Sequence, residues 1–500
     1  MPVFSDVKMI IAGLNKEEIR LAKKYLNFNQ RDADDTLLAK LFSKIIENPN
    51  LDPDSARLFM KESVSAFEKL CSRLIEKLNY MVVSEFNMTG KSPIAYKTRM
   101  EWELQNKLIL AQVQLARGNT ELSIKFINEA LTIGTNIEDY SELAKLMQLK
   151  IRILTIRGEK KLFEQAQEKI SFFQKCATIL ENTKEQYTKL ITDAHSQTTL
   201  YSIEVWDKEL AKINEAYEFT KSNYILYQYL ELLQTYCILK CDYLENEKYA
   251  YQLLKLVKNI PLLNKQQFLG IANLFVSQAN IYVSNYDLAN QYCVLAREHF
   301  SKNTYNYFLT EELEFHINYF SNEFDKAEQT IYRIKRNEKY CIADSVKYQI
   351  EFLLAVCLFA KKEYNDAQRV LLKINLIQQD KVSWNFAMRT LQAMIYIETD
   401  SYDDLLRHLS TYERDLMRVQ RKQNVRKREF LIWKLFNTWA KTQSFAETVD
   451  LRSEELSLMQ TTKSEYCWQK HGHELVAVDS WFISKANAEK KSKSGISKGR

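Results

Sequence analysis

Apolar and polar positions alternate at helical spacing along most of this chain, and in its second half the alternation itself repeats. The segments Asn285 to Ala289, Glu323 to Ala327, Glu363 to Ala367 and Ser401 to Leu405 share one layout. An aromatic residue (Tyr286, Phe324, Tyr364, Tyr402) stands three places before a small or apolar anchor (Ala289, Ala327, Ala367, Leu405). Apolar or small residues follow at +4 and +7, as Cys293 and Ala296 in the first copy and Leu371 and Ile374 in the third. The anchors are 38, 40 and 38 residues apart. Stepping backward reaches Ala250, Ala211, Ala166 and Ser123, and a degenerate copy sits near Ala446. The pattern predicts about nine antiparallel helix pairs. One pair cannot bury both its apolar stripes, so neighbours must stack. The small anchor lets two helices cross closely, and the aromatic fills the gap beside the turn.

The first hundred residues read differently. Asn15 and Glu18 have the spacing of a capping box. A helix then runs through Ile19, Leu21 and Tyr25, and a second carries Leu37 to Ile45. A third, from Ser55 to Met81, places Phe59, Val64, Phe67, Leu70, Leu74 and Leu78 on one face. Gly90 and Pro93 mark a linker. The chain therefore divides into an N-terminal three-helix segment (1–86), a repeat array (94–460), an aromatic C-terminal cap (461–485) and a disordered basic tail (486–500). In the cap, Trp468, Trp481 and Phe482 can cover the exposed face of the last pair.

Composition sharpens this picture. The 500 residues hold only 9 glycines and 5 prolines, and between Lys160 and His471 just Pro261 and Gly270. Such scarcity means nearly unbroken helix, and it leaves no clustered glycine to cradle a phosphate or nucleotide. Ser, Asn, Lys or Asp stands where the later turns fall. The net charge of +6 is mostly the tail, so the body is close to neutral. The eight cysteines are scattered in apolar contexts without a C-x-x-C, which reads as core residues in a reducing compartment and implies no disulfide framework. No secretory leader and no apolar run of membrane-spanning length is present, so a cytoplasmic location without membrane contact is expected.

These segments resemble the turn and second helix of the tetratricopeptide repeat (TPR). Tyr286, Phe324, Tyr364 and Tyr402 fall on its tyrosine, and Ala289, Ala327 and Ala367 on its first alanine. In the first helices the small position is matched by Ala111, Ser277, Ala355 and Ala393. The period near 39 exceeds the family's 34, and the closing proline and first-helix tryptophan are missing. The resemblance implies an all-α, right-handed superhelical solenoid whose first helices line a concave groove for a peptide or protein segment. Carried over copy by copy, the groove positions are Gln278 and Tyr282, then Glu312, His316 and Tyr319, then Gln349 and Phe352, then Thr390, Met394 and Glu398. The lysine and asparagine pattern that clamps a C-terminal carboxylate is not among them.

Candidate chemistry is sparse. His471 and His473 could ligate a metal with Cys467 nearby, but no further ligand stands at recognisable spacing, and a polar turn explains them as well. No nucleophile elbow occurs, and Glu454 and Glu455 lie on an ordinary helical face, so no enzyme activity, cofactor or metal is expected. From Arg414 to Lys434, eight basic residues face only Asp415 and Glu429, and Arg414, Arg418, Arg421 and Lys422 recur at helical spacing. This stripe is a solvated outer face or a contact for nucleic-acid phosphate. The leading expectation is a non-enzymatic scaffold or adaptor that binds a protein or peptide segment in the groove. The alternative is a peptide-sensing regulator whose N-terminal helices or basic stripe contact nucleic acid.

Overall fold

The computed structural model describes residues 2–496 apart from 15, 29–32, 86–95, 197–202, 303, 338–343, 375–383, 421–426, 462–465 and 471–472. The described residues form 24 helices and no strand, in two compact units, 1–167 and 168–500. The expected all-α architecture is therefore observed. The linker at 87–93 lies outside the described residues, and the boundary between the units falls inside the span read as one array.

The first unit begins with α1 (Pro2–Gly13), α2 (Lys16–Phe28), α3 (Ala33–Glu47), α4 (Pro53–Met60) and α5 (Val64–Glu85). Their shared core takes Phe4 and Val7 from α1, Leu26 from α2, Leu38 and Phe42 from α3, Met60 from α4, and Phe67 and Leu74 from α5. Three helices are thus corrected to five. The N-terminal residues pair Phe4 with Phe67 in a helix of their own, and the 55–81 helix is broken. Asp52 accepts hydrogen bonds from Asp54 N and Ser55 N ahead of Pro53, while Lys61 turns left-handed at φ 57° to end α4. Asn15, the proposed cap of α2, lies outside the described residues. The unit continues with α6 (Tyr96–Ala116), α7 (Thr120–Ile137), α8 (Tyr140–Arg157) and the start of α9 (Lys160–Ser196).

The second unit holds the rest of α9, α10 (Ile203–Thr220), α11 (Asn223–Leu239), α12 (Tyr243–Asn259), α13 (Gln266–Tyr282), α14 (Tyr286–Glu298), α15 (Tyr305–Phe320) and α16 (Phe324–Lys335). After them come α17 (Asp344–Ala360), α18 (Tyr364–Leu371), α19 (Trp384–Glu398), α20 (Tyr402–Gln420), α21 (Lys427–Thr442), α22 (Phe445–Leu451), α23 (Ser453–Met459) and α24 (Val478–Ile496). Consecutive helices pack as pairs, α11 with α12 through α21 with α22.

Each pair is closed by a residue in the left-handed region: Gly118 and Gly158 early, then Cys241, Ser284, Asn322, Lys362, Asp400 and Gln443. Except after Gln443, the next backbone N–H reaches back five residues, as from Glu363 to Leu358 O at 2.9 Å and from Asn285 to Asn280 O at 2.8 Å. This satisfies the carbonyls a helix end leaves open. The left-handed turn ordinarily favours glycine, so its repeated use by other residues explains how so little glycine suffices.

Five residues past the turn stands the anchor, except after Gly158, where buried Ala166 comes eight residues on. Ser123, Ala289, Ala327, Ala367 and Leu405 are completely buried. Twelve residues earlier is its crossing partner, and Ala111, Ser277, Ala355 and Ala393 are buried too. Three pairs hydrogen-bond at this point: Ser123 Oγ to Ala111 O at 2.7 Å, Ser277 Oγ to Ala289 O at 2.6 Å, and Asn246 Nδ2 to Gln234 O at 3.0 Å. A side chain this short reaches a neighbouring backbone only where the helices nearly touch.

Two anchors shift register. In the pair closed by Cys241 the position belongs to buried Asn246, not Ala250, and in the last pair to buried Thr448, not Ala446. Both are polar residues made tolerable by hydrogen bonds to backbone carbonyls. Ala211 is exposed on α10 and anchors nothing.

At the C-terminus, Trp481 and Phe482 pack on Phe436 and Phe445. The segment read as a disordered tail from 486 instead continues α24 to Ile496. Glu489 holds it there, accepting from Ser444 Oγ at 2.8 Å and from Ala446 N at 3.0 Å, where the start of α22 favours negative charge. Lys490 adds an ion pair to Asp450.

Candidate functional site

The predicted groove residues of the second unit fall on α13, α15, α17 and α19, and the structure sorts them into two groups. The first group packs internally. Tyr282 stacks on Tyr243 with ring centroids 4.5 Å apart, and Tyr319 lies among Phe315, Phe320 and Phe324. Burial raises both tyrosine hydroxyls well above their ordinary range, with a hydrogen bond to Gln278 partly offsetting this at Tyr282. His316 is buried against Phe315 and Phe320. Gln349 donates to Glu312, whose carboxyl is pushed up to about 7 by desolvation.

The second group faces the chain's own C-terminal segment. Phe352, Thr390 and Met394 line a narrow residual void closed on its other side by His473, Glu474, Leu475 and Val476. Thr390 also bonds the Tyr412 hydroxyl at 3.0 Å. Glu398 accepts from Trp481 Nε1 at 3.1 Å and pairs with Lys485 at 2.6 Å.

The strip 466–470 crosses to the other end of the unit. Tyr243 donates to Trp468 O at 3.2 Å, and Gln469 Nε2 donates to Ile238 O at 3.3 Å. Lys470 bonds Ser284 Oγ at 2.6 Å and lies over the rings of Tyr286 and Phe320 at 4.9 and 5.5 Å. Trp468 meets Phe320 edge to face. Beside it Cys467 is joined to Cys241, 226 residues earlier. This bridge corrects the expectation that no disulfide is present. Cys71, Cys176, Cys237, Cys293 and Cys357 are free and buried, and Cys341 lies outside the described residues.

Both ends of this excursion converge on Arg428. Its fully buried guanidinium donates to Tyr466 O at 2.8 Å and Met459 O at 3.2 Å, forks onto Glu474 at 2.6 and 2.8 Å, and pairs with Asp479 at 2.6 Å. All five of its N–H donors are used. Sequence reasoning missed it because it stands inside a basic run. The only signal was an arginine at the start of an apolar helix.

The remaining basic stripe is thinner than expected. Arg414 and Arg418 are exposed on α20, and Arg418 pairs with Asp415, which also binds Arg389. Arg421 and Lys422 lie outside the described residues. Of the histidine pair, His471 does too, while His473 stands edge-on to Trp384 at 4.4 Å. The thiol a metal there would need is committed to Cys241.

No family model and no curated protein matches the chain. Among solved structures it is similar to a Signal Transduction ATPase with Numerous Domains (STAND) protein with a tetratricopeptide repeat sensor from Pyrococcus horikoshii. That likeness is 15% identical, covers 77% of this chain and 50% of the other, and has a TM-score of 0.31. The chain thus spans half the length of that protein. A second likeness, to the apo form of RapI, is 12% identical over 81% of this chain and 97% of the other, with a TM-score of 0.32. Overlaps this loose transfer no role. The left-handed turns, buried anchors and twelve-residue crossings of its own helix pairs make the chain an all-α helical repeat protein that resembles the TPR in its turns and second helices.

Proposed function

We propose that this protein is a non-enzymatic scaffold or adaptor whose second unit binds an extended segment of another protein along the inner helices α13 to α19, without a cofactor. One observation carries the reading. Non-helical chain already lies against this unit, residues 473–476 on α17 and α19 and residues 466–470 on the turns after α11 and α13 and the end of α15, through a mixture of carbonyl hydrogen bonds, a cation over two aromatic rings and apolar contacts. Such a mixture suits an extended peptide, which presents backbone carbonyls and alternating side chains together. The neutral body favours a protein partner over nucleic acid, and no described helix is long and apolar enough to cross a membrane. Five buried free thiols fit a location inside the cell, with Cys241–Cys467 the exception.

The test is selection from a random peptide library against the full chain, followed by fluorescence anisotropy. A selected peptide should bind Phe320→Ala at least tenfold more weakly while circular dichroism shows the helices kept. Peptides indifferent to the substitution would overturn the reading.

A further inference from the structure

The five-helix core of the first unit does not close everywhere. Helix α1 packs more extensively on α5 than on α3. Between α1, the start of α2 and the turn from α3 to α4 lies a cavity of about 760 Å³ that opens to solvent. Small-molecule sites span about 300–1,000 Å³. The floor is Phe4 and Ile11 of α1, Ile45 of α3 and Leu51 of the turn, all buried. Leu14, Ile19 and Ile46 form half-buried walls. Apolar side chains that border open space lack contact atoms on that side, and methylenes brought in by a ligand would supply them.

The mouth is polar, and its polarity is one-sided. Lys8 of α1 is half-buried and gives one ammonium hydrogen bond to Leu51 O at 3.2 Å. Among the described residues no carboxylate pairs with it. Its other N–H donors, the hydroxyl of Ser5 one helical turn earlier and the side-chain amide of Asn50 all stand at the mouth with no acceptor among the described residues. The one carboxylate on the lining, Asp52, is already committed to the start of α4, accepting from Asp54 N at 3.1 Å and Ser55 N at 3.0 Å.

We propose that this cavity binds a free fatty acid, with the alkyl tail on the apolar floor and the carboxylate at the mouth against Lys8. A carboxylate only accepts hydrogen bonds, so it matches a mouth whose unused groups donate. Its charge meets a lysine that has no counter-ion, whereas a cationic or neutral head would leave that lysine unmatched. The tail supplies the methylenes that the floor and walls lack. The site lies within the first unit and does not depend on the groove reading given above.

The experiment titrates the full chain with sodium octanoate, decanoate and dodecanoate below their micelle concentrations, followed by isothermal titration calorimetry. Dodecanoate should fill a single saturable site, with affinity rising about fourfold for each added methylene. No saturable binding, or affinity indifferent to chain length, would overturn the proposal. Dodecanoate should bind at least tenfold more tightly than dodecanol or methyl dodecanoate. Equal or tighter binding of the ester would make an esterified acyl chain the ligand and refute the carboxylate. Lys8→Met keeps the apolar stem and removes the charge, so it should weaken dodecanoate at least tenfold and leave dodecanol unchanged; undiminished dodecanoate binding sinks the assignment. Ala12, exposed on the lining, gives a second variant that leaves the core packing alone. Ala12→Trp should block the cavity and abolish binding of both ligands while circular dichroism shows the helices kept, and retained binding would place the ligand elsewhere. Amide hydrogen exchange on the wild-type chain locates the site without any substitution. Dodecanoate should slow exchange in α1 and α3, and slowing confined to the second unit would overturn the proposal.

Discussion

Glu231 shows how much a single buried residue can bias this protein. It sits on α11 with the Tyr187 hydroxyl donating at 2.6 Å, and burial pushes its carboxyl from 4.5 up to about 7 despite further donation from Tyr227. Between these values the folded chain holds a proton that the unfolded chain has released. Stability therefore falls as pH rises from about 4.5 to about 7 and levels off above. The shift corresponds to about 3 kcal/mol. Glu231→Gln should remove that portion of the pH dependence, measured by urea unfolding at pH 5 and pH 8. Parallel curves for wild type and variant would show the carboxyl is not charged at cost in the fold. Nothing in the sequence of α11 singles this residue out, since an acidic residue between tyrosines and leucines reads as the polar edge of an amphipathic helix. Of the two tyrosine partners, Tyr227 stands one helical turn earlier on α11, but Tyr187 comes from α9, and only the fold brings it there.

At the scale of helices, the legible part was the rhythm. The aromatic, the small anchor and the interval between copies follow from how helices cross, so they are written in residue size and spacing. Less legible were positions where a polar residue substitutes for a small one. Asn246 and Thr448 satisfy themselves on backbone carbonyls and so pass for surface residues in a sequence. The break between α4 and α5 was obscured for a related reason, because a left-handed lysine looks like any other helical lysine. The crossing geometry itself can be tested. Ala289 is completely buried and its carbonyl accepts from Ser277, so Ala289→Leu should force the helices apart and destabilise by about 1–3 kcal/mol. Chemical unfolding followed by circular dichroism measures this, and an unchanged midpoint would mean the backbones are not in close approach there.

For the second unit as a whole, Arg428 is the residue on which the C-terminal segment depends. Replacing it with methionine keeps the volume but leaves Glu474 and Asp479 as buried charges facing no cation. Arg428→Met should cost about 3–5 kcal/mol and expose the chain near residue 466 to limited proteolysis. Resistance equal to that of the wild type would show the ion network is dispensable. Of the candidate groove, sequence reading named positions on α13, α15, α17 and α19. It did not find that Phe352, Thr390 and Met394 are covered by the chain's own later residues. Contacts this far apart, 87 residues for Glu398 with Lys485 and 226 for Cys241 with Cys467, leave no spacing to recognise, and neither Cys467 nor Arg428 has a partner nearby in sequence.

The position of that cover along the chain gives the protein a timetable. During synthesis the N-terminal parts emerge first, and domains generally fold in that order. The helix pairs from α11 to α20 need only near neighbours and can assemble while translation continues. Cys467, Glu474 and Asp479 are made only after those helix pairs. Every newborn molecule thus passes through a state in which its repeats are stacked and its inner face is bare, and it first meets the cell open.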